Sequence, residues 1–141
     1  MSETPIITDE LKSLLDVEFG PEVYEVEKGL VQKFVQAIDD PNPSWQLVAP
    51  PTFPTVLRLE ELRHKIVTAE CPLSRFLNGG NELEYYQAIN IGDIISVTGK
   101  LASLRGREGK TGGLLFMIVE LTYRNQKGEL VAKGRDTYIR Y

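Results

Sequence analysis

Residues 114 to 125 read LLFMIVELTYRN: six apolar side chains in succession, then Glu120, Leu121, Thr122 and Tyr123 in alternation. Period two is the signature of a strand, and a run that is apolar at consecutive positions asks for cover on both faces. This stretch is therefore predicted to be the central strand of a sheet. Three neighbours share the pattern: ELEYYQAI (82–89), DIISVTGKLASL (93–104) and ELVAKGRDTYIRY (129–141). Ile91-Gly92-Asp93, Gly106 to Gly113 and Gln126-Lys127-Gly128 supply the turn residues between them. Links this short predict antiparallel neighbours.

Upstream the period changes. Thr8 before Asp9 and Glu10, with Leu11, Leu14 and Leu15 on one face, predicts a short helix stopping at Gly20-Pro21, so that residues 1–20 form a helical extension. VYEVEKG (23–29) alternates as a short strand. Leu30, Phe34, Ala37 and Ile38 recur at helical spacing up to Asp40, beyond which Pro41 and Pro43 forbid continuation. The stiff APPTFP (49–54) leads into a more apolar and more buried helix marked by Val56, Leu59, Leu62 and Ile66. AECPLSRFLNGGN (69–81) reads as a connection, with Gly79-Gly80 as a turn or bulge. The sum is one α+β domain over residues 1–141, an antiparallel sheet of about five strands able to wrap one buried helix.

The chain of 141 residues is long enough for a sizeable core, and its 42% hydrophobic and 26% charged residues are ordinary for a globular protein. A net charge of −4 with scattered Lys and Arg argues against nucleic acid. Cys71 is the only cysteine, which excludes an intrachain disulfide and fits a reduced, cytoplasmic setting. His64 is the only histidine, so two-histidine mechanisms and most transition-metal sites fall away; within LEELRHKIV it reads as a surface or helix-end residue. MSETPIITDE has no signal-peptide character, and no apolar run approaches the roughly 20 residues of a membrane span. No motif asks for a metal or cofactor. GREGKT (106–111) lacks a glycine at Leu104 and lies between strands, so it reads as a hairpin turn and not a phosphate-binding loop. Tyr85, Tyr86, Tyr123 and Tyr138 read as sheet packing.

The stretch with the most chemistry is AIDDPNPSWQ (37–46). Its Asp40-Pro41-Asn42-Pro43 turn aims one carboxylate, and Trp45 stands where an acid–base site would want a histidine. Asp40 reads either as a turn brace, bonding the next backbone amides, or as a group that touches substrate; both stay open. Asn42 reads as fixing the turn, Trp45 and Phe53 as packing residues able to line an apolar channel.

The succession of Asp-x-Asn-Pro turn, APPTF, apolar helix, LNGGNELEYYQ and four strands ending in NQKGELVAKGRDTYIRY resembles the MaoC-like dehydratases from about Tyr24 onward. These are hot-dog-fold proteins. The branch most similar holds the N-terminal dehydratase domain of fungal fatty acid synthase and the subunits of (3R)-hydroxyacyl thioester dehydratases that lack the catalytic pair. Active members carry Gly-Asp-x-Asn-Pro-x-His, matched here by Asp39-Asp40-Pro41-Asn42-Pro43-Ser44-Trp45. Their Asp and His activate the water that adds to the double bond, one group taking a proton while another delivers one. An indole N–H does not exchange protons at neutral pH. Active members also place Ala-His-Gly at the buried helix, the glycine N–H polarising the thioester carbonyl; Ala49-Pro50-Pro51 matches it, and proline has no N–H. Only Gln46, Leu47 and Val48 separate the two motifs, fewer than is usual in the family.

The resemblance therefore implies an acyl-thioester-binding accessory subunit of a heteromeric (R)-specific enoyl-CoA hydratase or 3-hydroxyacyl thioester dehydratase. It would lack a complete catalytic site and pair with a catalytic MaoC-like subunit. A homodimeric hydratase using Asp40 and a non-catalytic acyl-CoA-binding or assembly module are the alternatives. By the same resemblance Asp40 is a catalytic remnant, Asn42, Trp45, Thr52 and Phe53 line an acyl tunnel, and Arg105, Arg107 and Lys110 are candidates for the phosphates of coenzyme A. The ligand is an acyl-CoA or acyl-carrier-protein thioester.

Overall fold

The computed structural model describes residues 5–109 and 112–141. Five antiparallel strands form one sheet: β1 (Phe19–Glu25), β2 (Phe76–Tyr85), β3 (Ile94–Gly109), β4 (Gly112–Arg124) and β5 (Leu130–Arg140), in the order β1-β3-β4-β5-β2. LLFMIVELTY does occupy the centre. Its alternation is one-sided, however: Leu115, Met117, Val119, Leu121 and Tyr123 are buried, whereas Leu114, on the opposite face, is 39% exposed and Phe116 and Ile118 are half-buried. Cover comes from one side, the side of the helices. β3–β4 and β4–β5 are antiparallel neighbours as the short links predict. Consecutive β2 and β3 are not: β2 pairs with β5 at one edge, and β3 with β1 towards the other.

Among the described residues three α-helices accompany the sheet: α1 (Asp9–Ser13), α2 (Lys28–Ile38) and α3 (Glu60–Thr68). α1 is capped by Thr8, whose hydroxyl accepts from the Leu11 N–H at 3.3 Å and donates to the Glu70 carbonyl at 2.7 Å. It ends at Ser13 and not at Gly20-Pro21, because Leu15 leaves to bridge Leu101 on β3. Gly20 lies inside β1 at a φ of +94°, where a Cβ would sit 2.5 Å from the Val97 carbonyl oxygen, so only glycine fits this bulge.

α2 buries Val31, with Phe34 and Val35 packed on the core; Leu30 and Ile38 are 39% and 41% exposed. The helix is where the spacing predicts but is rotated, because KGLVQKFVQAI carries two overlapping apolar stripes and the core takes the second. The buried helix is shorter than predicted. Val56 closes a 3₁₀ turn (Phe53–Val56), Leu57–Leu59 runs without helical structure, and α3 then buries Leu62 and Ile66. β2 begins at Phe76, six residues before Glu82, and Gly79 falls at a register shift within it. Arg105 and Arg107 lie in β3, paired with Phe116 and Leu114, and not in a turn.

Candidate functional site

The Asp40 turn is built from its own backbone. Asp39 caps α2 in the left-handed region (φ 52°, ψ 47°), its N–H donating to the Gln36 carbonyl. The Asp40 N–H donates to the Val35 carbonyl at 3.3 Å, and Asp40 Oδ1 accepts from the Asn42 N–H at 3.1 Å. Asn42 Oδ1 in turn accepts from the Ser44 N–H at 2.9 Å and caps the 3₁₀ turn Pro43–Gln46. Both polar side chains thus hold local backbone, the usual work of Asp and Asn in such sequences. They line a cavity of about 190 Å³ together with Gln32, Gln36, Gln46, Val35, Pro41 and Trp45. The Trp45 Nε1–H is buried and meets no acceptor among the described residues.

The other predicted residues are dispersed. Phe53 is wholly buried and packs edge-on against Phe34, ring centroids 5.6 Å apart. Thr52 is exposed, and its carbonyl accepts from the Thr55 hydroxyl. Neither lines the Asp40 cavity. Ala49 is tied to the β2–β3 link through its N–H to the Ile89 carbonyl at 2.8 Å, and the Pro50 carbonyl accepts from the Phe53 N–H. Arg105 and Arg107 line a cavity of about 440 Å³ on the uncovered face of the sheet, beside Phe116, Ile118 and Arg135. Lys110 lies outside the described residues. His64 is exposed on α3.

A groove that the sequence does not announce lies between the Thr55–Ile66 segment and the concave face of β2, β4 and β5, with a volume of about 270 Å³. Leu57, Leu62, Ile66, Phe76 and Leu121 give it apolar walls. Arg58, Arg63, Asn78, Asn81, Asp136 and Tyr138 give it polar ones. Asp136 Oδ1 accepts from Asn81 Nδ2 at 2.6 Å, and its Oδ2 from the Tyr138 hydroxyl at 3.3 Å. One wall is anchored by Arg140, whose guanidinium donates to the carbonyls of Leu73, Ala69 and Ile66 at the end of α3. Near the other end the Tyr24 hydroxyl donates to the Arg58 carbonyl.

The family described as FAS1-like, dehydratase domain region matches residues 13–134. The chain belongs to this family. Solved structures agree on the fold of this FAS1-like dehydratase domain. It aligns with the C-terminally truncated HadBC (3R)-hydroxyacyl-ACP dehydratase complex of Mycobacterium tuberculosis at a TM-score of 0.73 and 17% identity, over 89% of this chain and 96% of that one. The ChsH1–ChsH2 complex of the same organism gives 0.74 and 17%, over 88% of each chain. A MaoC-like dehydratase from Rhodospirillum rubrum gives 0.65 and 18%, over 93% and 95%. The fold is the hot dog of the MaoC-like dehydratases, as the motif order implies. No helix among the described residues is long and apolar enough to cross a membrane.

Two tyrosines of this FAS1-like domain, Tyr138 in the groove and Tyr85 at the end of β2 outside it, carry a pH signature. Burial, and then the adjacent Asp136 charge, push Tyr138 up from 10.0 to about 12; burial alone pushes Tyr85 to about 12. Desolvation penalises the phenolate, so the folded state holds these protons more tightly than the unfolded chain does. Their contribution is complete below pH 10 and is lost as the pH rises through about 12. Melting temperature followed across that window is expected to fall, and to fall less steeply in Tyr138→Phe. Equal slopes in the two proteins would contradict the assignment.

Proposed function

We propose that this FAS1-like dehydratase domain is an acyl-thioester-binding accessory subunit of a heteromeric (R)-specific enoyl-CoA hydratase or 3-hydroxyacyl thioester dehydratase, with proton transfer carried mainly by a catalytic MaoC-like partner. The observation that carries this reading is the lining of the Asp40 cavity. Apart from Asp40 it holds three glutamines, Asn42, Val35, Pro41 and Trp45, none of which exchanges a proton near neutral pH. Hydration needs two proton movements, from water and to the α-carbon, and this site offers at most one group for them. Pro51, aligned by motif with the glycine donor of active members, has no N–H to polarise a carbonyl.

Association fits the surface. Val23 and Leu47 are 60% and 76% exposed, and the uncovered sheet face presents Leu114 beside half-buried Phe116 and Ile118. Apolar surface of this kind is what a partner chain covers. HadBC, similar in fold, is itself a complex. Arg105 and Arg107, with Arg135 beside them, lie on this same face, and we assign them to the phosphates of a coenzyme A or carrier-protein thioester bound where the partner meets it. In this reading Asn42 and Trp45 are retained against the acyl thioester, Phe53 backs α2 through Phe34 from outside the cavity, and Thr52, exposed and outside it, has no part.

The test is co-expression with hydratase subunits that carry Asp-x-Asn-Pro-x-His, followed by assay of the purified complex on enoyl thioesters. A stable complex more active than the catalytic subunit alone supports the accessory role. Full activity of this chain by itself would instead favour a hydratase that uses Asp40, and thioester binding without any association would favour a free-standing binding module. Within an active complex, Asp40→Asn is expected to leave turnover within a few-fold and to cost about 1 kcal/mol of stability or less, since the amide oxygen still accepts from the Asn42 N–H. A fall of two powers of ten at unchanged stability would return Asp40 to the chemistry.

A further inference from the structure

Trp45 ends in a donor that the chain leaves unused. It sits in the 3₁₀ turn Pro43–Gln46, its backbone N–H donating to the Asn42 carbonyl at 3.1 Å. The indole is half-buried, yet its Nε1 is shut from solvent and meets no acceptor among the described residues. An indole N–H is a donor only, and burying one without a partner is costly. The polar groups around it in the Asp40 cavity are bonded to one another or to backbone. Asp40 Oδ1 accepts from the Asn42 N–H and Asn42 Oδ1 from the Ser44 N–H, while Gln32 Nε2 donates to Gln46 Oε1 at 3.4 Å. That last bond joins two exposed amides near the limit of useful length, so this wall of the cavity parts at little cost.

The lining selects what meets the donor. An anion would face the Asp40 carboxylate, and a cation brings no acceptor for an N–H. A hydrocarbon would leave the donor as it stands. A neutral carbonyl oxygen satisfies it, and also suits the side-chain amides of Gln32, Gln36 and Gln46, which have N–H groups of their own. A volume of about 190 Å³ is smaller than the roughly 300 Å³ at which pockets for whole ligands begin, so the cavity takes the head of a thioester and not its full length. Pro51 is not among the residues lining it and has no N–H to offer.

The geometry points to the Trp45 Nε1–H as the donor that receives the thioester carbonyl oxygen in the Asp40 cavity, a specificity-determining contact that binds without exchanging a proton. This rests on the acyl-thioester reading above and adds to it the atom that holds the carbonyl. A ligand that brings the carbonyl pairs the buried donor; an analogue without it leaves the donor unpaired and is rejected accordingly.

The experiment is calorimetric titration of the full-length chain with butyryl-pantetheine and with S-butyl-pantetheine, the thioether that has a methylene in place of the carbonyl. The thioester is expected to bind at least about tenfold more tightly. Trp45→Phe, which keeps an aromatic ring and removes the donor, should bring the two affinities within about twofold of each other. Trp45 is the only tryptophan, so its emission gives a second readout in the native chain. A hydrogen bond at the excited indole should move that emission to the red with the thioester and not with the thioether, which decides the matter if Trp45→Phe does not fold. A ring kept for packing alone, or an N–H already bonded to a trapped water, would give the same ratio in both proteins and the same emission with both ligands. Equal affinity of the native chain for both ligands, or a ratio that survives Trp45→Phe, overturns the inference and leaves the acyl reading standing; no binding of either ligand overturns both.

Discussion

Assayed alone on crotonyl-CoA, the purified chain is expected to turn over about four powers of ten more slowly than the roughly 10 per second of an ordinary enzyme. The magnitude follows from two independent losses. General acid–base catalysis by a positioned group contributes about 10²–10⁴-fold, and the residue that the motif aligns with the histidine of active members is Trp45, whose indole N–H does not titrate. A donor aimed at the developing enolate oxygen contributes about 10²–10³-fold more, and Pro51 has none to give. Groups that act as a unit are not additive, so the combined loss is smaller than the product of the two. His64 does not compensate: it is an exposed residue of α3, and its side chain lines neither the Asp40 cavity nor the groove. Steady-state hydration followed by loss of the enoyl thioester absorbance checks this. A turnover of several per second from the isolated chain would sink the accessory-subunit proposal outright.

The parts of the fold legible in the sequence are those fixed by local pattern. Six consecutive apolar residues placed β4 at the centre, and the end of α2 ahead of Pro41 and Pro43 was legible to within a residue, the helix stopping at Ile38 with Asp39 as its left-handed cap. What escaped was decided by partners distant in sequence. Phe76–Asn81 carries Asn and Gly and reads as a loop, yet it pairs along β5, with Gly79 so close to Ile139 that a Cβ would lie 2.7 Å from it. Val56 and Leu59 satisfy helical spacing, but Pro54 favours a 3₁₀ turn whose Leu57 N–H returns to the Pro54 carbonyl, and the helix starts only at Glu60. The Asp40 turn was legible because an Asx turn is a local device. The groove was not, since Asn81 and Asp136 meet across 55 residues. KGRDTYIRY (133–141) gives little warning, because Lys133, Arg135 and Thr137 on one face alternate with Gly134, Asp136 and Tyr138 on the other, and both sets carry polar groups. Alternation then does not reveal which set faces inward.

The residue that holds the groove together is Arg140, and its replacement should have the largest effect on stability. It is only 7% exposed, at the end of β5, and its Nε donates to the Leu73 carbonyl at 3.0 Å while one terminal nitrogen reaches Ala69 at 2.8 Å and Ile66 at 3.5 Å. Ile66 belongs to the last turn of α3 and Ala69 caps it, so these are carbonyls the helix itself leaves unpaired and that carry its negative end. Arg140→Met keeps the apolar stem but removes every donor, stranding the buried carbonyls. Hydrogen bonds to a charged group contribute about 1.5–3 kcal/mol each, and the long contact to Ile66 contributes least, so the change is expected to cost about 3 kcal/mol. For a chain of this size that is roughly a 10 °C fall in melting temperature. Arg140→Lys should recover only part, because one ammonium does not span the fork of a guanidinium. With the end of α3 released, the Ile66 and Phe76 walls of the groove loosen together. Urea unfolding at constant m-value checks the loss of stability; a midpoint shift equivalent to less than about 1 kcal/mol would mean that water already satisfies these carbonyls and that α3 is held by Leu62 and Ile66 alone.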